Sequence, residues 1–346
     1  MTHNIAPTAY LCISPGDSRS ATRAAMMAMN LVPQDILPSS HDLGKLNTQL
    51  TPDSNVLAMV DLGAVRSAGL NLVSLAALLP DMSSRARILL LREDTGLWPT
   101  DTKWVSDLGF AGLYAQADTF SWMAQPADLA AKVAKLAGIA PLTTDALASY
   151  FRAMQITGSH STPRGLIRDT TGLSAEALCA ALRTNVKALD RVYHLKNYPS
   201  CFLGTEAAQW FAQQYKTTPA QAVQQGLALQ KLGMLHHVAH EQPFANAANF
   251  YRTNASTGAD MLRLGTVLAR LSSKTGLAVQ DRSYRGKTYA ACFIGSEAVD
   301  WIKANTKLSR HDSEILLNRL YNFHVIEHVT QDHDVRDGYF FYRFVL

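Results

Sequence analysis

The chain has 346 residues, 47% of them apolar and 17% charged, with a formal net charge of +4. That length implies two or three domains with cores of their own, and the composition excludes a disordered chain or a bundle of membrane helices. No apolar run approaches the roughly eighteen residues of a spanning helix, and the N-terminus lacks the basic start and apolar core of a signal peptide. Four cysteines, Cys12, Cys179, Cys201 and Cys292, show no C-x-x-C spacing, so buried free thiols in a reducing cytoplasm are expected. The charge is uneven. Residues 1–155 hold 11 Lys+Arg against 13 Asp+Glu, and subtraction leaves 21 against 15 for residues 156–346. The C-terminal half is therefore the part drawn to an anionic partner.

In chain order, four short apolar runs read as buried strands: Ala9–Ile13, Asn55–Val60, Arg87–Leu91 and Ala111–Tyr114, with Asp35–Leu37 as a weaker fifth. Between and after them, Ser20–Asn30, Leu43–Leu50, Asn71–Leu79, Thr102–Leu108 and Ala127–Leu136 suit helices, the last started by Pro126 and Asp128 and ended by Gly138. Alternating β and α predicts a parallel sheet covered on both faces. Five such units resemble the receiver domain of response regulators, a flavodoxin-like α/β fold with strand order 2-1-3-4-5. The resemblance makes Asp61, at the end of the third strand, the candidate phosphoacceptor. The acidic pair that would hold Mg²⁺ beside it is missing, since Ser14-Pro15-Gly16 follows the first strand and only Asp17 is near. Tyr114-Ala115-Gln116 stands where a receiver has its lysine. A degenerate receiver-like domain, used for input or docking, is expected over residues 1–140. A short amphipathic helix and a linker follow over 141–172, where Ile156–Arg164 concentrates small polar residues and turn formers.

From there the chain repeats itself. Residues 190–211, beginning Asp-Arg-Val-Tyr, match residues 281–302, beginning Asp-Arg-Ser-Tyr, at a constant offset of 91. The pairs include Asp190 and Asp281, Lys196 and Lys287, Cys201 and Cys292, Gly204 and Gly295, Glu206 and Glu297, and Trp210 and Trp301. The register holds to Phe250-Tyr251-Arg252 and Phe341-Tyr342-Arg343. A fixed offset over some sixty residues is a duplicated structural unit. Each copy reads as a helix (Ala175–Arg183, Leu262–Leu271), a hairpin arm bending near Lys196-Asn197 or Gly286-Lys287-Thr288, and a second helix opened by Gly204-Thr205 or Gly295-Ser296. The Thr205 and Ser296 hydroxyls are expected to cap that helix, with Glu206 and Glu297 in its first turn. A third helix (Ala220–Leu232, His311–Tyr321) and two short wing strands close the unit.

This is an α+β winged helix with an inserted arm. The pattern D-R-x-Y-x-x-K-x-Y-x-x-C-F-x-G-[ST]-E-A-x-x-W, then H-V, then F-Y-R, resembles the DEP domain of Dishevelled, pleckstrin and regulators of G-protein signalling. It occurs twice, over 173–255 and 260–346. The resemblance implies no catalysis and no cofactor, but docking on acidic phospholipid or on a membrane-associated signalling protein through the arm. Arg191 and Lys196 of the first copy and Arg282, Arg285 and Lys287 of the second are then the candidate contacts. The repeated Tyr, Trp and Phe read as core.

Two rival readings are weighed. His236, His237 and His240 form H-H-x-x-H, but neighbouring strand residues face opposite ways and the second copy has Glu327 and Gln331 at two of the places, so no metal is expected there. A winged helix also serves nucleic-acid-binding regulators through its third helix, yet here that helix carries one basic residue in the first copy and mixed charge in the second. The sequence thus predicts a non-enzymatic cytoplasmic signalling adaptor, peripheral at the inner face of a membrane.

Overall fold

A computed structural model describes residues 7–52, 54–92, 95–116, 122, 129–154 and 162–346. The helix start at Pro126–Asp128 and most of the linker stretch at 156–164 lie outside the described residues. The chain folds as two compact units, one built from residues 1–93, 99–157 and 256–346, the other from 94–98 and 158–255.

The N-terminal part of the first unit is a parallel sheet of β1 (Thr8–Cys12), β2 (Val32–Asp35), β3 (Leu57–Asp61), β4 (Ile88–Arg92) and β5 (Gly112–Ala115) in the order β2-β1-β3-β4-β5. Every residue of β3 and β4 is buried, as continuous apolar runs in the middle of a two-sided sheet must be. The expected weak strand starts three residues earlier, at Val32. It carries Pro33 and three exposed residues, which only an edge strand tolerates. The helices are α1 (Asp17–Ala28), α2 (Ser40–Gln49), α3 (Leu62–Ser67), α4 (Leu72–Leu78), α5 (Met82–Arg85), α6 (Pro99–Asp107), α7 (Leu129–Ala137) and α8 (Thr144–Ala153). Leu147 and Phe151 of α8 belong to the same apolar core as Leu11, Met26, Met59 and Leu91.

The second unit holds the first copy of the repeat: α9 (Pro163–Thr171), α10 (Ala175–Asn185), β6 (Leu189–Tyr193), β7 (Lys196–Leu203), α11 (Gly204–Tyr215), α12 (Pro219–Lys231), β8 (Leu235–His237) and β9 (Phe250–Thr253). Helix α9 extends the expected unit at its N-terminal side. Thr162 caps it, Pro163 opens it, Gly172 closes it with φ 72, and Ile167 enters the core beside Leu178, Phe211 and Leu229. Residues 95–98 pack in this unit too, with Trp98 in its core and the Leu97 N–H donating to Glu176 at 3.0 Å.

The second copy follows in the first unit: α13 (Thr257–Asp260), α14 (Leu264–Leu271), β10 (Gln280–Tyr284), β11 (Lys287–Ile294), α15 (Gly295–Thr306), α16 (Arg310–Asn322), β12 (Ile326–His328) and β13 (Phe341–Phe344). Each copy has a four-stranded sheet in the same order, β6-β7-β9-β8 and β10-β11-β13-β12, with antiparallel pairing throughout. The duplicated winged-helix fold expected from the 91-residue offset is the fold observed.

Within the first unit, the α/β part and the second copy share one packed seam. Trp104 of α6 meets the Phe323 ring edge-on at 4.8 Å, and Gly265 leaves room for it, since a Cβ there would lie 2.9 Å from Trp104 Nε1. Arg92, at the end of β4, is buried, stacks on the Phe323 ring at 4.8 Å and forms an ion pair with buried Asp101. The Asn71 amide donates to the Val345 carbonyl at 2.7 Å and the Thr100 hydroxyl to the Leu262 carbonyl at 2.9 Å. Removing one member of a buried pair strands the other charge. Asp101→Ala is therefore expected to cost about 3–5 kcal/mol in urea unfolding, and Arg92→Met/Asp101→Leu to recover most of it.

Candidate docking arms

The two arms are hairpins with the same register. Tyr193 pairs Lys196 and Arg191 pairs Tyr198 in the first, and Tyr284 pairs Lys287 and Arg282 pairs Tyr289 in the second. The bends are thus the two-residue turns His194-Leu195 and Arg285-Gly286, one or two residues before the positions expected from sequence. All four turn residues have positive φ, 45° and 62° in the first arm and 49° and 76° in the second, the conformation that suits the twist of a tight hairpin. Glycine accepts it freely and leucine does not.

Both arms are anchored at the base by the same constellation. Arg191 donates to both Glu206 oxygens at 2.8 Å, and Arg282 donates to Glu297 at 2.8 Å. The Arg191 and Arg282 side chains keep only 19% and 13% of their surface exposed. Each arm bulges near its base, where Ser200 and Ala291 take φ of 51° and 48°. The carboxylates of Asp190 and Asp281 accept the N–H of those bulge residues at 2.9 Å. The leading Asp-Arg of each repeat thus builds the arm's base. Tyr193 and Tyr198 meet Phe250, and Tyr284 and Tyr289 meet Phe341, on the same face.

The expected hydroxyl caps are not made. Leu203 stands at the N-cap of α11 and Ile294 at that of α15, neither with a side chain that can cap. The first N–H groups donate instead to wing carbonyls: Gly204 and Thr205 to Asn249 and Ala247, Gly295 and Ser296 to Phe340 and Gly338, all at 2.9–3.0 Å. In the first copy the Glu206 carboxylate also accepts the Leu203 N–H at 2.8 Å, so it is the cap. The glycines permit this approach, because a Cβ at Gly204 would lie 2.2 Å from the Ala245 carbonyl oxygen and one at Gly295 2.5 Å from that of Arg336. Tyr251 and Tyr342 shape the wing loops, their hydroxyls donating to the carbonyls of Pro243 and Asp334. Burial pushes the Tyr342 hydroxyl pKa up.

What remains exposed is the outer arm. Lys196 lies over Tyr198 at 5.3 Å, Arg285 over Tyr284 at 5.3 Å and Lys287 over Tyr289 at 5.2 Å. All three side chains are at the solvent, and among the described residues no carboxylate pairs with them. The structure therefore separates the five candidate cations into two at the base, Arg191 and Arg282, and three at the tips. It adds residues the sequence reading passed over. Leu195 is fully exposed at the first tip, with Val192 at 70% and Tyr193 at 59%, where the second arm has Gly286, Ser283 and Tyr284.

Asp61 sits elsewhere, at the end of β3, and is buried. Its carboxylate accepts the N–H groups of Gly63 at 3.0 Å and Ala64 at 3.3 Å, capping α3, and the Gln116 amide donates to it at 3.1 Å. Gln116 thus occupies the position noted for the missing lysine. Across from Asp61 lies the Cys12 thiol, pushed up to about 12 by burial and by the Asp61 charge. The third helices offer little positive charge. Arg310 of α16 is held by Asp300 and Asp337, and Arg319 is buried.

Residues 185–253 and 276–344 each match the family model described as the domain found in Dishevelled, Egl-10 and pleckstrin, DEP. The chain accordingly carries two DEP domains in tandem, behind a five-stranded receiver-like α/β domain. It is 30% identical over 166 residues to the phosphatidylinositol 3,4,5-trisphosphate-dependent Rac exchanger 1 protein of Mus musculus and 26% identical over 166 residues to the Rac exchanger 2 protein of Homo sapiens. Each alignment covers 45% of this chain and 10% of the relative. The vacuolar membrane-associated protein IML1 of Debaryomyces hansenii is 33% identical over 85 residues, 24% of this chain and 5% of that protein. The chain thus spans a tenth or less of the curated relatives it matches here.

Two predictions separate structural from exposed groups. Arg191→Ala and Arg282→Ala are each expected to lower stability by about 1–2 kcal/mol in denaturant titration, whereas Lys196→Ala, Arg285→Ala and Lys287→Ala stay within about 0.5 kcal/mol. Asp61→Ala, which takes the acceptor from two helix N–H groups and the Gln116 amide, is expected to cost about 1–3 kcal/mol, with Asp61→Asn less damaging in the same titration.

Proposed function

We propose that the protein is a non-enzymatic signalling adaptor whose DEP arms dock on an anionic phospholipid surface, with the receiver-like domain serving for input or docking. The observation that carries this reading is the composition of the arm tips. Lys196, Arg285 and Lys287 stand exposed without acidic partners among the described residues, and beside Lys196 a fully exposed Leu195 is held at positive φ. An exposed leucine in that conformation costs on the order of 1 kcal/mol in backbone strain and gains nothing from the fold, so its benefit lies in what it touches outside the chain. Each cation near an anionic leaflet contributes about 1 kcal/mol, and burying a leucine side chain in an acyl boundary adds roughly 1.5–3 kcal/mol. The names of the relatives, a phosphatidylinositol 3,4,5-trisphosphate-dependent exchanger and a vacuolar membrane-associated protein, are in keeping with such a surface. No described helix is long and apolar enough to cross a membrane, which fits peripheral attachment at the inner face. The nucleic-acid alternative has less support, because the cations of α16 are already engaged or buried.

Co-sedimentation with anionic and neutral vesicles, at low and moderate salt, tests the reading. Anionic vesicles are expected to capture more protein, with capture falling as salt rises. Arg285→Ala/Lys287→Ala removes about 2 kcal/mol, an approximately thirty-fold loss in partition. Equal capture by anionic and neutral vesicles would overturn lipid docking and make a membrane-associated protein the target.

A further inference from the structure

The wing of the second DEP domain holds a cluster that the docking reading does not use. His328 ends β12, and after a tight turn closed by the Gln331 N–H on the His328 carbonyl at 2.9 Å the chain brings back Asp332 and His333. Asp332 Oδ1 lies 2.6 Å from His328 Nδ1 and 3.7 Å from His333 Nε2, and the three ligand atoms all fall within 4.8 Å of one another. We propose that His328, Asp332 and His333 form a three-ligand site for a zinc-type divalent ion that clips the wing loop to its strand.

Three observations support this. The donor set, two imidazoles and one carboxylate, is that of borderline transition metals rather than of Ca²⁺ or Mg²⁺, which take oxygen donors. The His333 ring is oriented from behind, its Nδ1 lying 2.6 Å from the Asp334 carbonyl. A carbonyl accepts only from N–H, so Nδ1 carries a proton, which in the neutral ring leaves the Nε2 lone pair toward Asp332, as in many metal-bound histidines. Both imidazoles are also held by packing, their centroids 3.9 Å apart, with Phe340 4.9 Å from His333 and Tyr342 5.2 Å from His328. With metal–ligand bonds of about 2.0–2.2 Å, tetrahedral ligand atoms stand about 3.3 Å apart. Closing on an ion therefore needs shifts of about 1.5 Å or less. Asp332 is the exposed member, so the ion has an approach and an open fourth position.

The repeat supplies an internal comparison. The first copy keeps His237 and has Glu241 at the carboxylate position, but Gln242 stands where the second has His333. Only the second wing therefore has the three-ligand set. The site does not depend on lipid docking, and its failure would leave that reading untouched.

Isothermal titration of the full chain with Zn²⁺ is the test, paired with the absorption spectrum of the Co²⁺ complex. One saturable equivalent is expected, with the visible bands of a tetrahedral Co²⁺ centre and a melting temperature that rises with Zn²⁺. His333→Gln, which restores the first copy's residue, and Asp332→Asn are each expected to weaken binding at least about tenfold and to abolish the Co²⁺ bands, while circular dichroism of the metal-free variants stays unchanged. His240→Gln should leave binding as it is. Absence of saturable binding, or affinity unchanged in both His333→Gln and Asp332→Asn, would overturn the site.

Discussion

The ion pair between the arm and the second helix of each repeat is the constraint on which the position of the arm depends. A two-stranded hairpin standing out from a domain is marginal by itself. Arg191 on Glu206 and Arg282 on Glu297 tie its base to a rigid helix, and Asp190 and Asp281 fix the bulge beside them. Edge-on contact of the arm tyrosines with Phe250 and Phe341 holds one face down. The direction of each arm is therefore set by the same five kinds of residue, and only the outer turn is left to vary. Glu206 has a second task, since it also accepts the Leu203 N–H. Loss of that carboxylate would loosen the arm and the helix start together.

Much of this was legible in the sequence, and the reason is the duplication. Two copies at one offset mark which residues are constrained, and the helices predicted from them lie within about two residues of those observed. What escaped has a common cause: it depends on chain segments far apart. The N–H groups of Gly204 and Thr205 find acceptors at Asn249 and Ala247, more than forty residues on, so a local hydroxyl at the right spacing was the wrong cap. Arg191 and Arg282 read as surface cations because a linear sequence does not show that Glu206 and Glu297 lie across from them. Leu195 went unnoticed because a turn with leucine at positive φ contradicts local preference. Such a contradiction marks the place where something other than folding sets the residue.

In the N-terminal domain the strand pattern sufficed for a parallel sheet, because buried strands are readable from apolar runs, and the order observed is the one implied by the receiver resemblance. The chemistry at the strand ends was less so. Asp61 is spent on capping α3 and on the Gln116 amide, and Arg92, one strand over, turns to Asp101 and Phe323. A receiver-like fold thus keeps its sheet while the residues at its carboxyl edge hold structure together.

The Arg92–Asp101 pair is best understood as a device for register. Burying two charges costs several kcal/mol per ion before their attraction returns it, so a buried pair adds little net stability compared with apolar residues of the same size. It does penalise every arrangement in which the two fail to meet. At this seam Trp104, Phe323 and the Asn71 bond to the Val345 carbonyl supply the packing, and an arrangement that parted Arg92 from Asp101 would leave two buried charges apart. The second DEP domain is thereby held to the α/β domain in one defined arrangement. Its arm tip and wing loop are places where the second copy has departed from the first, with Gly286 for Leu195 and His333 for Gln242.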